Sequence, residues 1–264
     1  MNSLDALGRR NPEWAPWLGV LRVALDAAGD PAWEAMVPAH REGRAAGAPI
    51  LDGATLRIGV APVDAYWRRL QQAFTGRAQC VQSRAVFHAA LEADERRLDA
   101  LALAARAESD AFRALAGLLA LPFLQACSRA RADAVAIADD HGWCPLCGGW
   151  PAFAEVCGVD RARYLRCVRC GSAWPAQPLR CPYCGETDHD VLGSLVAERA
   201  MARSGIEVCG GCRAYVKVLN ALQPGAPAQV PLDDLASVEL DLAALDRGYT
   251  RPRGLGAPLR IALA

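Results

Sequence analysis

Four Cys-x-x-Cys pairs dominate the stretch between residues 144 and 212. Glycine follows three of the pairs, at Gly148, Gly171 and Gly185, while Arg213 follows the fourth. A chain that reverses around a metal ion needs a positive φ just after the second cysteine, and glycine adopts that conformation at little cost. The pattern therefore predicts four metal-binding knuckles. The pairs are Cys144/Cys147, Cys167/Cys170, Cys181/Cys184 and Cys209/Cys212.

Eight cysteines can form two four-sulfur sites by sequential, interleaved or nested matching, and the gaps between the pairs favour the sequential one. The gaps after Cys147 and Cys184 are long enough for a strand pair. The segment after Cys170 is shorter and contains Pro175 and Pro178, which suits a linker. We therefore predict two closed tetrahedral sites. The predicted ligands are Cys144, Cys147, Cys167 and Cys170 for one ion, and Cys181, Cys184, Cys209 and Cys212 for the other.

Disulfide bonds and thiol redox chemistry are the alternatives for paired cysteines. The first five residues lack the basic start and the apolar segment of a signal peptide, so we expect a reducing compartment in which thiols stay available for metal. A thioredoxin-type pair would open a helix directly after a strand. Four repeated pairs, two with proline inside, fit metal knuckles better. The spacing does not choose between zinc and iron.

The sequence predicts an α + small β fold, in which an N-terminal helical bundle is followed by two tandem rubredoxin-like or zinc-ribbon metal modules. The two cysteine-rich halves read as a repeat, since Cys-Pro-Leu-Cys-Gly at 144–148 matches Cys-Pro-Tyr-Cys-Gly at 181–185. The predicted domains are a helical domain at 1–141, a first ribbon at 142–178, a second ribbon at 179–222, and a linker, helix and tail at 223–264.

Apolar residues recur at helical spacing in three segments before the cysteines. In the second segment Asp94 interrupts the apolar face, and we expect its carboxylate to pair with a nearby arginine. Proline at position 122 should kink or split the third segment near Leu121. The predicted helices run from Val63 to Gly76, from Ser83 to Arg106 and from Ser109 to Asp139, and a later one, capped by Asp233 or Asp234, runs to Arg247 before Gly248.

Charge and composition argue against two classes of partner. The 29 basic and 29 acidic residues give a net charge of zero, so no global field attracts nucleic acid or an anionic membrane. Arginine supplies nearly all the positive charge, since Lys217 is the only lysine. The longest apolar run, Ala114 to Leu124, is too short to span a membrane. We therefore expect neither a nucleic-acid partner nor a membrane span.

Several reactive residue types lie outside the predicted ligand set. Cys80 and Cys127 are expected to be small buried residues, and Cys157 to pack inside the first ribbon, with a reactive or ligand role as the alternative. His141 and His189 are near knuckles, where we expect supporting or surface roles. Five arginines near the knuckles either moderate the charge of the thiolates or form a solvated face. They are Arg163, Arg166, Arg169, Arg180 and Arg213.

The cysteine-rich half resembles the formate dehydrogenase accessory protein E family. The N-terminal half matches this family mainly in length and helical character. Arg213, in the place where glycine follows the other pairs, is the one departure next to a ligand. The matching runs are Cys-Pro-Leu-Cys-Gly at 144–148, Arg163 to Cys170 with Trp174, Cys-Pro-Tyr-Cys-Gly at 181–185, Cys209 to Lys217, Asp-Asp-Leu-Ala-Ser at 233–237, Leu240-Asp241 and Gly248-Tyr249.

The resemblance implies a cytoplasmic, non-enzymatic accessory protein needed for active respiratory formate dehydrogenase. Members of this family contact the catalytic molybdenum or tungsten subunit and look like tandem rubredoxin-type modules behind a helical domain. The family's ligands carry over to the eight cysteines named above, with iron favoured in both sites and zinc as the alternative. The alternative functions are an electron-transfer or thiol-redox protein acting in metalloenzyme maturation, and a zinc-ribbon nucleic-acid binder.

Overall fold

The computed structural model describes residues 3–39, 45, 47–75, 82–136, 141–195 and 204–264. The predicted helix ends at Gly76 and Asp139, and the predicted buried residue Cys80, lie outside the described residues. The single helix predicted from Ser109 to Asp139 is nevertheless wrong, because the chain forms a turn at Arg131 between two helices. The chain divides into two compact units. The first comprises Met1–Gly47, Leu51–Ala130 and Pro258–Ala264, and the second comprises Ala48–Ile50 and Arg131–Ala257.

The first unit is helical in its described part, with one short strand pair. Strand β1 (Ala54–Leu56) pairs in parallel with the last strand of the chain, Ile261–Leu263. The C-terminal strand therefore belongs to the helical unit. The helices are α1 (Ser3–Arg10), α2 (Ala15–Ala28), α3 (Pro31–Glu34), α4 (Val60–Thr75), α5 (Ser83–Glu92), α6 (Glu95–Ala104) and α7 (Ser109–Ala130), with a 3₁₀ turn at Pro12–Trp14.

Helix α7 forms the centre of the first unit. It packs against every helix from α2 to α6, and its Leu119 and Phe123 side chains are fully buried. The Phe123 ring meets the Phe87 ring edge-on at 5.9 Å between centroids, and Phe87 stacks on Trp33 at 6.2 Å. By length and composition α7 would also suit a membrane span, but 72% of its apolar window is buried inside the protein. That burial is typical of a core helix.

Helix α7 runs through Pro122 without a break, so the split predicted as one outcome near Leu121 does not occur. Pro122 has no N–H to donate to the carbonyl of Leu118, four residues earlier. The Tyr66 hydroxyl on α4 donates to that carbonyl oxygen instead, at 2.9 Å. A side chain from another helix therefore satisfies the backbone acceptor that the proline leaves without its usual partner.

The single helix predicted from Ser83 to Arg106 is wrong, because the chain forms α5 and α6 there. Ala93 adopts a left-handed conformation with φ of 50° and ends α5. The Asp94 carboxylate then accepts a hydrogen bond from the Arg97 backbone N–H at 3.0 Å. Asp94 is therefore the N-cap of α6 rather than a charge at the edge of one apolar face.

The second unit combines a mixed sheet with three short helices among its described residues. Its helices are α8 (Ala132–Ala136), α9 (Val230–Ala236) and α10 (Val238–Leu245), with a 3₁₀ turn at Pro227–Gln229. Its strands are β2 (Pro151–Cys157), β3 (Ala162–Cys167), β4 (Ala173–Pro175), β5 (Leu192–Leu195), β6 (Ser204–Cys209) and β7 (Tyr215–Ala221), which makes the last strand of the chain β8 (Ile261–Leu263).

The two cysteine ribbons share one sheet, whose strand order is β4-β3-β2-β7-β6-β5. Strands β2 to β4 form the first ribbon and β5 to β7 the second, each with antiparallel pairing inside. Parallel pairing of β2 with β7, in which Phe153 aligns with Lys217, joins the two. The predicted fold class, a helical bundle followed by two small β modules with four cysteines each, is confirmed.

Lys217 on β7 is fully buried at the centre of an ion-pair network. Its Nζ contacts a carboxylate oxygen of Asp234 at 2.7 Å and one of Asp241 at 2.9 Å. The Arg251 guanidinium contacts the same two carboxylates at 3.0 and 2.6 Å, and the Tyr215 hydroxyl donates to Asp241 at 2.7 Å. Two cations and two anions thus compensate one another where α9 and α10 meet the sheet.

The helix predicted to start at Asp233 or Asp234 and run to Arg247 is also wrong. Helix α9 starts at Val230, where Pro231 lies in the first turn and needs no backbone partner. The chain then breaks at Ser237, whose hydroxyl donates to the Asp233 carbonyl at 2.7 Å. Asp234 contributes to the ion-pair network rather than to a cap. Burial alone would raise its pKa, but Arg251 and Lys217 hold that pKa below the usual range.

Replacing Tyr66 by phenylalanine should leave the Leu118 carbonyl without a donor. We expect the free energy of unfolding of the first unit to fall by about 1–3 kcal/mol, because a partly buried acceptor loses its partner. Urea denaturation measures this loss. The matched control is the same change in a Pro122→Ala background, where the alanine N–H can supply the missing bond. Equal losses in both backgrounds would contradict the exchange of partners.

Replacing Lys217 by methionine should leave Arg251 as the only cation of the network, facing the half-buried carboxylates of Asp234 and Asp241. We expect the second unit to lose about 3–5 kcal/mol of stability, because one partner of a buried ion-pair network is removed. Hydrogen exchange of the β6 and β7 amides measures the loss. Arg247→Met is the control, since Arg247 is exposed and its loss should change stability by less than about 0.5 kcal/mol. Unchanged protection in Lys217→Met would refute a stabilising network.

Candidate metal centres

The first cluster comprises Cys144, Cys147, Cys167 and Cys170, which are all fully buried. The sulfur of Cys144 lies 3.5 Å from that of Cys170. The sulfur of Cys147 lies 3.5 Å from that of Cys167 and 3.7 Å from that of Cys170. All four sulfurs lie within 4.8 Å of one another. The structure therefore groups the first and second pairs, as the gaps in the sequence predict.

The second cluster comprises Cys181, Cys184, Cys209 and Cys212, whose sulfurs also lie within 4.8 Å of one another. The sulfur of Cys181 is 3.7 Å from that of Cys212, and the sulfur of Cys184 is 3.7 Å from that of Cys209. Cys181 and Cys209 are buried, but Cys184 and Cys212 are exposed. The two clusters are therefore alike in geometry and different in their access to solvent.

The distances between the sulfurs fit a four-coordinate ion. Sulfur ligands at about 2.3 Å from a tetrahedral ion lie about 3.8 Å from one another. The closest pairs in both clusters, at 3.5 to 3.7 Å, are near that separation. Each cluster can therefore hold one ion with little movement of the chain. Thiolate ligands of this number suit zinc or iron.

All four knuckles have the same backbone geometry. In the knuckle that begins at Cys144, the N–H of Gly148, the residue after the pair, donates to the Cys144 carbonyl at 2.8 Å. The Cys144 N–H in turn donates to the Gly149 carbonyl, also at 2.8 Å. Equivalent pairs of bonds close the knuckles that begin at Cys167, Cys181 and Cys209. A repeated local turn thus aims two sulfurs of each pair at the same point.

The residue after each pair has the positive φ that the sequence predicts. The angle is 71° at Gly148, 72° at Gly171 and 80° at Gly185. Arg213, the one departure from glycine, has a φ of 58°, which costs a side chain about 1–2 kcal/mol. Its guanidinium donates to the Arg247 carbonyl at 2.9 Å and lies 4.0 Å from the centre of the Tyr249 ring. These contacts help to offset the strain.

Four thiols in a dry cluster cannot all ionise without a cation. Burial raises the pKa of the Cys144 and Cys170 thiols well above the ordinary value. Hydrogen bonds from the Cys144, Cys167 and Cys170 side chains lower the pKa of Cys147 instead, which favours the negative charge on the Cys147 sulfur. In the second cluster burial raises the pKa of Cys212 to about 11. A bound ion would compensate the remaining thiolates, and its binding would release protons.

Two of the five arginines near the knuckles are buried rather than solvated. Arg166 pairs with Glu155 at 2.7 Å, and both side chains are buried. Arg163 on β3 pairs with Glu207 on β6, also at 2.7 Å. The expectation of a solvated arginine face is therefore wrong for these two. They neutralise carboxylates of the sheet. Glu155, a single acid in an otherwise apolar strand, was the sequence signal for this pairing.

A third arginine lies against the first cluster itself. The Arg169 guanidinium donates to the Cys147 carbonyl at 3.3 Å, and its backbone N–H approaches the Cys167 sulfur at 3.4 Å. Its positive charge also helps to lower the pKa of Cys147. Of the two expectations for the arginines near the knuckles, moderation of the thiolate charge therefore applies to Arg169.

The remaining candidate residues lie outside both clusters. Cys127 and Cys157 are buried, and burial raises the pKa of Cys157, which agrees with packing roles. His141 stacks on Trp143 at 4.3 Å between ring centroids, and its backbone carbonyl accepts from the Trp174 indole. His189 is exposed between two aspartates. Neither histidine belongs to a four-sulfur group.

Two cavities border the second cluster, and no sequence pattern indicates either of them. One, of about 320 Å³, is largely apolar and is lined by Cys181, Cys209 and Tyr215 among others. The other, of about 350 Å³, is largely polar and is lined by Cys181, Cys184 and Arg180 among others. Such cavities arise from segments far apart in the chain, so no local pattern reports them.

Comparisons with known proteins agree with this geometry. A family model described as "FdhE, C-terminal domain" matches residues 179–255, which contain the second cluster. The protein FdhE of Escherichia coli O127:H6 is 29% identical over 226 residues, which cover 80% of this chain and 70% of that protein. A protein FdhE homolog of Haemophilus influenzae Rd is 36% identical over 111 residues, or 41% of this chain. The chain covers 35% of the length of the first curated relatives that it matches.

A solved structure has the same fold. The crystal structure of the FdhE protein from Pseudomonas aeruginosa aligns with a TM-score of 0.58 and 23% identity. The alignment covers 92% of this chain and 87% of that one. The chain is therefore similar to FdhE proteins in its C-terminal domain and along most of its length, and it shares the fold of the solved one.

Proposed function

We propose that the chain is a cytoplasmic accessory protein needed for the maturation of active respiratory formate dehydrogenase. The observation that carries the proposal is the similarity to FdhE over 80% of the chain, together with two four-sulfur clusters on one sheet. The role is non-enzymatic: the protein binds an enzyme subunit during assembly. Its client in this proposal is the catalytic molybdenum or tungsten subunit.

We propose further that the eight clustered cysteines bind two metal ions, one in each cluster. The separations between the sulfurs and the four equivalent knuckles support this assignment. Iron is favoured by the family resemblance, and zinc is the alternative. A small β module buries too little apolar surface to fold alone, and a structural zinc site contributes on the order of 10–16 kcal/mol to folding. The ions would therefore hold the sheet in shape for the client.

A redox role in maturation is the second candidate, and one observation favours it. Two residues of the second cluster, Cys184 and Cys212, are exposed, so electrons or thiol reagents have a short path to that site. A reversible change in iron–thiolate absorbance during maturation would support this candidate over a passive assembly factor. Nucleic-acid binding is disfavoured, since the net charge is zero and Arg163 and Arg166 are paired with carboxylates.

Binding to the dehydrogenase subunit can be tested directly. The immobilised chain should retain the catalytic subunit of a respiratory formate dehydrogenase from an anaerobic extract, because docking on that subunit is the proposed step. A molybdenum enzyme of another class serves as the control for non-specific capture. Immunoblotting of the eluate measures both. Absence of the dehydrogenase subunit, or equal capture of the control enzyme, would contradict the proposal.

The metal assignment predicts different outcomes for two buried cysteines of the same unit. Cys170→Ser should remove one ion per chain, because it takes a ligand from the first cluster. Cys157→Ser should leave both ions bound, since its sulfur lies outside the clusters. Elemental analysis of protein purified without air measures the number and the type of ion. If Cys170→Ser kept as many ions as the Cys157→Ser control, the first cluster would not be a metal site.

A further inference from the structure

The two clusters differ most in how the protein covers them. In the first, every sulfur-bearing side chain is fully buried. In the second, Cys184 and Cys212 are exposed. These two residues occupy the same place in their knuckles, since each is the second cysteine of its pair. The second cluster therefore presents one edge of its coordination sphere to solvent.

Other segments of the same unit close the first cluster. A Cβ atom at Gly148 would lie 2.3 Å from the Ala257 carbonyl oxygen, and one at Gly171 would lie 2.5 Å from that of Pro227. Both knuckles are thus in direct contact with backbone that passes over them. A ligand from outside could reach the first cluster only after these segments moved away, which requires local unfolding.

The first knuckle of the second cluster is covered on one side, since a Cβ atom at Gly142 would lie 1.5 Å from the Pro182 carbonyl oxygen. Among the described residues, the end of this knuckle next to Cys184 is less tightly covered. The atom nearest to a Cβ built at Gly185 is a guanidinium nitrogen of Arg180, at 3.6 Å, and this long side chain can move. The cavities of about 320 and 350 Å³ share Cys181 and Tyr183 as lining residues. One continues to Cys209 and the other to Cys184. Solvent and small ligands therefore have several approaches to these sulfurs.

We propose that the second cluster is an exchange site, which gives up and takes back its divalent ion while the first cluster keeps its own. The proposal rests on the proposed binding of two ions. An incoming ligand would first displace the thiolate of one of the two exposed residues, Cys184 or Cys212. The displaced thiolate keeps its electron pair or takes a proton from water. The oxidation states of the ion and of the sulfurs do not change.

The polar cavity indicates which ligands would start the exchange. Arg180 lines it together with Cys184, and no carboxylate belongs to its described lining. Arg163 lines it as well, but its guanidinium is paired with Glu207. Guanidinium groups attract carboxylates and thiolates. An anionic chelating group, such as a pair of carboxylates or thiolates on a partner, is therefore the class of acceptor that suits this entrance.

Timed removal of metal tests the proposal. The full chain is loaded with zinc in both sites and challenged with EDTA, and native mass spectrometry counts the bound ions over time. We expect one ion to leave at least about tenfold faster than the other, since a barrier lower by about 1.4 kcal/mol gives a tenfold faster rate. Loss of both ions at one rate would overturn the exchange site.

Alkylation by iodoacetamide in the same samples identifies which ion leaves first. Peptides containing Cys184 and Cys212 should be modified at the stage with one ion, while those containing Cys144 and Cys167 stay unmodified. The reverse order of modification would refute the proposal. A chain that binds no zinc in either cluster would overturn the assigned metal sites, and the exchange site with them.

A matched pair of variants separates the two sites further. Cys184→Ser and Cys147→Ser each change the second cysteine of the first pair in their cluster. In Cys184→Ser the ion that remains is that of the first cluster, and it should leave at the slow rate of the wild type. In Cys147→Ser the ion that remains is that of the second cluster, and it should leave at the fast rate. The opposite assignment of rates would contradict the proposal. None of these readouts depends on formate dehydrogenase, so failure of the accessory role would leave this result unaffected.

Discussion

The convergence of four sulfurs at one point is the constraint on which the second unit depends. Each knuckle reverses the chain within five residues, closes with two backbone hydrogen bonds and requires a positive φ at the residue after the pair. The sulfurs then lie too close together to ionise without a cation, because each would be a buried charge beside another. An ion at the centre, as proposed, would remove this cost and connect the two knuckles of its cluster.

The sheet connects the two clusters to each other and to the rest of the second unit. The parallel pairing of β2 with β7 joins the two ribbons, and Arg163 on β3 reaches Glu207 on β6 at 2.7 Å. The only lysine of the chain, Lys217, then connects the sheet to α9 and α10 through Asp234 and Asp241. A change at either cluster can therefore affect the same sheet, which suits a protein whose proposed role is to present a surface to a client.

Local chemistry made the clusters predictable, and non-local contacts made other features unpredictable. The gaps between the pairs were enough to group the eight cysteines, and the glycines indicated the turns. Arg213 showed that a side chain can replace glycine when it finds partners, here the Arg247 carbonyl and the Tyr249 ring. Helix α7 continues through Pro122, and the donor to the Leu118 carbonyl comes from Tyr66 on another helix. The predicted split therefore does not occur, whereas the kink stays a prediction. The sequence shows that Asp94 interrupts an apolar face, but the role of Asp94 as a helix cap depends on the left-handed conformation of Ala93.

Removal of both ions from the reduced chain tests the central claim most directly. The measurement is hydrogen exchange of backbone amides before and after chelation under reducing conditions without air. The account predicts that amides of β2, β3, β6 and β7 lose protection, while amides of α2, α5 and α7 in the helical unit keep theirs. A metal-free, fully reduced chain whose sheet amides remain as protected as before would contradict it.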